Sequence, residues 1–420
     1  MATSPLDHVF FGHIGACYLS EESGLGTLGT ERRAWPVADT VEVTPTQESV
    51  DVKTLSPRAH DAETPAQGDK GGTLKLSYYL QPPATVNATG ATPDTSSTAP
   101  LRIPLKVLFG GESVAAGSTV ATGTSASAIV VASGHGARMT AGQIIAVATD
   151  SSYGFELAQV RSRATDDLTL YPHLSATPAT SQAVTNLNTY YPTSTNSLSM
   201  SVALSSLSTD RQVCMRGCTG SAALKFERGS LAVMDLTLNA ATFDGPSALG
   251  YSVARVEDTM AAPLAVRNSI CWLQATSTTT RVNTAVDSVS IALNFGNVHL
   301  TSLTGTLEGK RAVHRGEGLT DAFAKIELTL PDNTDVFTWY AAQTELNFTF
   351  IVKVDPAAGG RRFVAVMAPQ CVIESYPEIM KGEGNLTKVK VMLRAKVSEQ
   401  CSGTITTAEL ASAPFLLALG

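Results

Sequence analysis

One pattern constrains this chain more than any other, and it occurs twice. Ser49-Val50-Asp51-Val52-Lys53-Thr54-Leu55 reads as a strand, Ser56 to Gly72 as a polar tip, and Thr73-Leu74-Lys75-Leu76-Ser77-Tyr78-Tyr79-Leu80 as the returning strand. Asn297-Val298-His299-Leu300-Thr301-Ser302-Leu303, a polar tip from Thr304 to Thr320, and Ala322 to Leu330 repeat the arrangement. Apolar and polar residues alternate on both sides of each tip, the period of a half-buried strand. Tips this long exceed ordinary hairpin connections and point to functional loops.

Further landmarks recur in the same order. Ala16-Cys17-Tyr18-Leu19 matches Ile270-Cys271-Trp272-Leu273, and Val50 matches Val298. A short helix expected over Pro100 to Gly111, with Leu101, Leu105 and Leu108 on one face and Pro104 in the first turn, matches a second over Pro331 to Gln343. There Asp332, Asn333 or Thr334 can cap, and Val336, Phe337 and Tyr340 share a face. Leu198-Ser199-Met200-Ser201-Val202 matches Leu346-Asn347-Phe348-Thr349-Phe350, and Cys218 matches Cys371. The spacing between copies shrinks after the helix, because the first copy carries extra sequence. That extra sequence is a loop over Pro82 to Ala99 and a charge-poor stretch with short apolar pieces at Ala128 to Val131, Gln143 to Val147, Phe155 to Val160, Leu168 to Tyr171 and Ala183-Val184. Short strands at this spacing predict a small β-barrel.

The expected organisation is therefore mainly β. Two tandem sandwich-like or barrel-forming modules each carry a short helix. Module A spans 1–117 and 191–245, the inserted β domain 118–190, a linker 246–262, module B 263–400, and a C-terminal arm 401–420. Ser23 to Arg33 reads as a loop. In the arm, Phe415, Leu416 and Leu417 are the expected docking residues.

Composition narrows the function. Only 16% of the 420 residues are charged, a surface that calls for association with something else. A net charge of −7 argues against tight, sequence-independent DNA binding, which depends on Lys and Arg displacing counterions. No stretch reads as a secretion signal or as a membrane span. The six cysteines fit neither a secreted disulfide scaffold nor a zinc set and are expected to be buried thiols. Gly110-Gly111-Glu112-Ser113 lacks the Lys-Ser/Thr of a phosphate loop, and Gly134-His135-Gly136 reads as a turn. No G-x-S-x-G or H-E-x-x-H pattern occurs, so no catalytic residue, metal or cofactor is assigned.

In a charge-poor chain the two tips are conspicuous. The first holds Arg58, His60, Asp61, Glu63, Asp69 and Lys70. The second holds Glu308, Lys310, Arg311, His314, Arg315, Glu317 and Asp321. The plain reading is a pair of solvated loops. The sharper one is contact between stacked protein rings, where mixed charge fixes register.

The ordered pieces resemble the tail tube proteins of long, non-contractile-tailed bacteriophages. Those pieces are Gly12 to Leu19, the hairpin running into Gly71 to Leu80, the helix ending Leu108-Phe109-Gly110, and Arg211-Gln212-Val213-Cys214-Met215-Arg216-Gly217-Cys218 leading to Ala223-Leu224-Lys225-Phe226-Glu227. Met139 to Val147 looks like part of the small β domains that some members carry. The resemblance implies two packed sheets flanked by a helix and rings whose sheets join into a continuous barrel. It also implies a stacked hollow tube that conducts DNA without binding it tightly. A duplicated chain would then close a ring as a homotrimer. The implied partners are further copies, the tape measure, the tail tip and the terminator. The implied location is the virion tail, assembled in the host cytoplasm, with a net acidic lumen. The rival expectations are another repetitive virion component (a minor tail or capsid decoration protein), a carbohydrate-binding adhesin-like β protein, and an enzyme with a dispersed site.

Overall fold

The computed structural model describes residues 14–27, 31–35, 37–50, 66–81, 101–114, 116–148, 155–193, 198–206, 212–247, 254–256, 263–267, 269–301, 310–315, 323–331, 334–353, 363–381, 387–403, 405 and 407–420. The chain is mainly β. It opens with β1 (Ile14–Glu21), β2 (Glu31–Trp35), β3 (Val37–Val50) and β4 (Ala66–Tyr79), followed by helix α1 (Arg102–Phe109) and β5 (Gly110–Ser113). The insert holds β6 (Ala116–Thr119), β7 (Ala128–Val130), β8 (Ile144–Ala148), β9 (Phe155–Ala164), β10 (Asp167–Tyr171) and β11 (Ala183–Asn186). Module A resumes with β12 (Asn188–Pro192), β13 (Met200–Ser206), β14 (Gln212–Glu227), β15 (Val233–Ala240), β16 (Thr242–Ser247) and β17 (Ala254–Val256). Module B comprises β18 (Ile270–Ala275), β19 (Ser288–Leu293), β20 (Asn297–Thr301), β21 (Lys310–Arg315), β22 (Ala324–Pro331), helix α2 (Asp335–Ala341), β23 (Leu346–Lys353), β24 (Phe363–Ile373), β25 (Glu378–Lys381) and β26 (Thr387–Ala395). Helix α3 (Ala408–Ala411) and β27 (Leu416–Leu419) end the chain.

The duplication is visible in the strand pairing. In module A, β1 pairs with β13, β13 with β14, β14 with β15, β15 with β4 and β4 with β3. In module B, β18 pairs with β23, β23 with β24, β24 with β26, β26 with β22 and β22 with β19. All ten pairings are antiparallel, and each helix lies between equivalent strands. Even an irregularity is repeated. Met200 faces Cys218 and Val202 faces Met215, while Leu346 faces Cys371 and Phe348 faces Ala368, so one extra residue bulges from the longer strand in both copies. Cys17 and Cys271 sit opposite Leu204 and Phe350 at equivalent positions. The residue equivalent to Leu346 is thus Met200, not Leu198. The sequence match was off by two residues, which keeps side chains on the same face and so left the alternation intact.

Several boundaries differ from the sequence reading. The first hairpin is built from two 14-residue strands, so Gly71-Gly72 belongs to β4 and not to a tip. The backbone approaches closely there: a Cβ on Gly72 would lie 3.1 Å from the Thr44 carbonyl oxygen. The second tip contains β21, which pairs with β20. Glu31 to Arg33 is strand and not loop, and the expected linker contains the last two residues of β16 and all of β17, which pair with β14 and β2. These short polar segments are strands because neighbours supply the ladder, which local propensity cannot reveal. The Pro82 to Ala99 loop lies outside the described residues.

The insert gains a sixth strand, β6, before the expected five, and runs β6-β11-β8-β9-β10-β7. A bridge between Val120 and Val131 joins its two ends and closes a small barrel around Ile129, Ile145, Val160, Leu168 and Val184. This barrel does not hang free. Ile144, Phe155 and Leu157 pack with Trp272, Ile351, Phe363 and Met367 of module B and with Leu410 and Leu416. The modules themselves share one hydrophobic core that runs from Leu19 and Leu74 through Phe226 to Phe350 and Leu393.

Candidate functional site

The feature with functional consequence is a seam. The second half of β14 pairs with β19 over six residues, from Ala222 opposite Leu293 to Glu227 opposite Ser288. Module A's sheet therefore continues into module B's as one curved run, β3-β4-β15-β14-β19-β22-β26-β25. Leu224 and Ile291 face each other at the seam and both are fully buried, and Phe226 meets Phe350 beneath it with ring centroids 5.0 Å apart. Among the described residues, β3 pairs only with β4 and β25 only with β26, so both ends of the run are open edges. An open edge presents unpaired N–H and C=O groups and is a template for another chain.

Alternation divides the run into two faces. Leu74, Leu76, Leu236, Leu238, Val391 and Leu393 point into the core. The other face carries charges matched across strands: Lys75 with Glu42 at 2.9 Å, Lys225 with Asp235 at 2.7 Å, Lys390 with Glu327 at 3.0 Å, Lys388 with Asp287 at 2.9 Å and Lys325 with Glu374 at 3.4 Å. Neither sign dominates this surface. A cavity of about 640 Å³ opens beside the seam, with Phe226, Val289 and Phe350 at its floor and Arg228, Arg267 and Lys388 among its lining residues.

The second hairpin folds back onto module A. Lys310 is half-buried, and its ammonium donates to the carbonyl oxygens of Lys70 at 3.1 Å and Ala241 at 2.5 Å. His299 Nε2 lies 2.7 Å from the Gly217 carbonyl oxygen, at the bulge of β14. Burial, with Lys310 adding repulsion, holds the His299 imidazole below its ordinary pKa of 6.5. Gly217 is fixed from its other side by Glu22, a carboxylate 3% exposed. Glu22 accepts from the backbone N–H of Gly217 at 2.9 Å and of Gly26 at 2.8 Å, and from the hydroxyls of Ser199 and Ser201.

Of the expected tip contacts, Arg58, His60, Asp61, Glu63, Glu308, Glu317 and Asp321 lie outside the described residues. Asp69 and Lys70 lie on β4, and Arg311, His314 and Arg315 on β21. Lys310, expected at a contact between rings, is engaged inside the chain, because β21 crosses onto module A. The C-terminal arm also docks at home. β27 inserts between β12 of module A and β24 of module B, Leu416 and Leu417 are fully buried, and Phe415 stacks near Phe109. Nothing in the sequence pointed to Glu22, which stands just before the expected loop, or to His299 as a docking group. The exposed Tyr376, Ile379 and Met380 were also missed, since Tyr376 to Lys381 shows no alternation.

All six cysteines are free thiols. Burial pushes Cys17 up to about 12 and raises Cys218, Cys271 and Cys371 as well, which keeps these sulfurs protonated and unreactive. Among the described residues no cluster of His, Cys, Asp or Glu could hold a metal, and no helix is long and apolar enough to cross a membrane. No family model and no curated protein matches the chain.

Proposed function

We propose that this protein is a structural subunit that assembles into rings stacked as a hollow tube, a virion tail tube through which DNA passes. The single observation that carries the reading is the seam: one chain already joins two equivalent tiles edge to edge and, among the described residues, leaves an open edge at each end. Edges of that kind are hazardous unless paired, and ring closure pairs them all. By the tail-tube resemblance, a chain with two tiles closes its ring with three copies, and the tape measure, tail tip and terminator are its other partners.

The polar face supports the transport half of the reading in a revised form. Instead of a net acidic wall, its lysines are neutralised by carboxylates on neighbouring strands. Such a wall has little net attraction for phosphates, and that attraction is what makes DNA binding tight. Arg311, His314 and Arg315, together with the two tips, are the proposed contacts between successive rings. Negative-stain electron microscopy of concentrated protein tests the proposal. Hollow filaments support it, and isolated compact particles at every concentration contradict it.

A further inference from the structure

The seam inside the chain is also a template. Following equivalent pairings through module B places Val389 where Met234 stands in module A, so its partner Ile379 occupies the place of Leu224. Likewise Val289 faces Leu328 as Val41 faces Leu76, so Val43 occupies the place of Ile291. Leu224 and Ile291 oppose each other and are both fully buried. Ile379 is 65% exposed on its open edge, Tyr376 beside it is 68% exposed, and Val43 is half-buried on the other open edge. The same two positions are thus fully buried within the chain and less covered at its ends, where Ile379 is exposed and Val43 half-buried.

Resting on the ring reading above, we infer that β25 of one copy pairs antiparallel with β3 of the next, with Ile379 opposite Val43. In this register Met380 faces Glu42 and Lys381 faces Val41, as Lys225 faces Ser290 and Phe226 faces Val289 inside the chain. Pro45, which has no N–H to offer, sets the outer limit of the seam. The occupant is a second copy because these two edges are complementary in the one arrangement the chain already uses.

The test is a cysteine pair in the full chain, Ile379→Cys with Val43→Cys, treated with copper–phenanthroline as oxidant. Directly opposed strand residues have Cα atoms about 4.5–5.5 Å apart, within the reach of a disulfide. The expected result is reductant-sensitive covalent multimers, with roughly ten-fold less cross-linking when Val43→Cys is replaced by Glu42→Cys, whose side chain points to the other face. The wild-type chain controls for native thiols, and each single variant must match its circular dichroism. Closed rings in the microscope without cross-linking above wild type overturn this seam and leave the ring reading standing. Cross-linked pairs that form no rings support the seam and contradict the ring. Monomers without cross-links contradict both.

Discussion

Replacing Phe415 with Ala separates two accounts of the C-terminus. If residues 401–420 were an arm reaching a neighbouring copy, an isolated subunit would not feel the change. The structure assigns the ring to the subunit's own core. Phe415 is fully buried, lies 6.3 Å from Phe109 in a stacked arrangement, and leads into β27, which bridges β12 and β24. Truncating a buried phenylalanine costs about 3–5 kcal/mol from lost transfer energy and the cavity left behind. The aromatic neighbours Phe109, Phe295 and Phe323 leave that cavity little scope to collapse. Urea denaturation followed by tryptophan fluorescence, at a protein concentration too low for assembly, should therefore show a clearly lower midpoint with an unchanged slope. An unchanged midpoint in the dilute subunit, with assembly alone impaired, would instead make Phe415 a contact between copies.

Three other substitutions probe the interior. Glu22→Gln places an amide donor among N–H and O–H donors and should cost about 2–3 kcal/mol by the same denaturation assay, since charge-assisted bonds are lost. Docking of β20 and β21 should depend on pH through His299. Its pKa is depressed in the fold, so the unfolded or undocked state binds more protons; docking is firm above the ordinary value of 6.5 and weakens as pH falls through it toward the lowered folded value. Hydrogen exchange of residues 297–301 should show this dependence, and His299→Gln should flatten it. Arg161 is 7% exposed, stacks 4.3 Å from the Tyr171 ring centroid, and its guanidinium nitrogens have no hydrogen-bond partner among the described residues. Arg161→Met should leave the melting temperature unchanged or raise it, since a buried unpaired charge is costly; a large drop would contradict that assignment.

Much of the fold was legible because alternation and order survive duplication. The Cys17/Cys271 and Cys218/Cys371 matches and all five named strands of the insert fall where the sequence placed them. Helix α1 was readable from Pro104 near its start and from Gly110 at its end, with φ of 84°. What stayed hidden depends on long-range neighbours. β16 and β17 are too polar to declare themselves, and Lys310 looks like any surface lysine until β21 is seen crossing onto Ala241. Glu22 becomes a structural anchor only because Ser199, Ser201 and Gly217 converge on it from far along the chain. The seam was invisible for the same reason: nothing local distinguishes a strand that pairs within the chain from one that waits for a partner.

In the proposed ring, the open borders of β3 and β25 are completed by other copies. Native mass spectrometry of the concentrated full-length protein addresses it directly. A discrete closed species of three 43.9 kDa chains is expected, with higher stacks in multiples of it. A single-chain mass persisting at every concentration would contradict it.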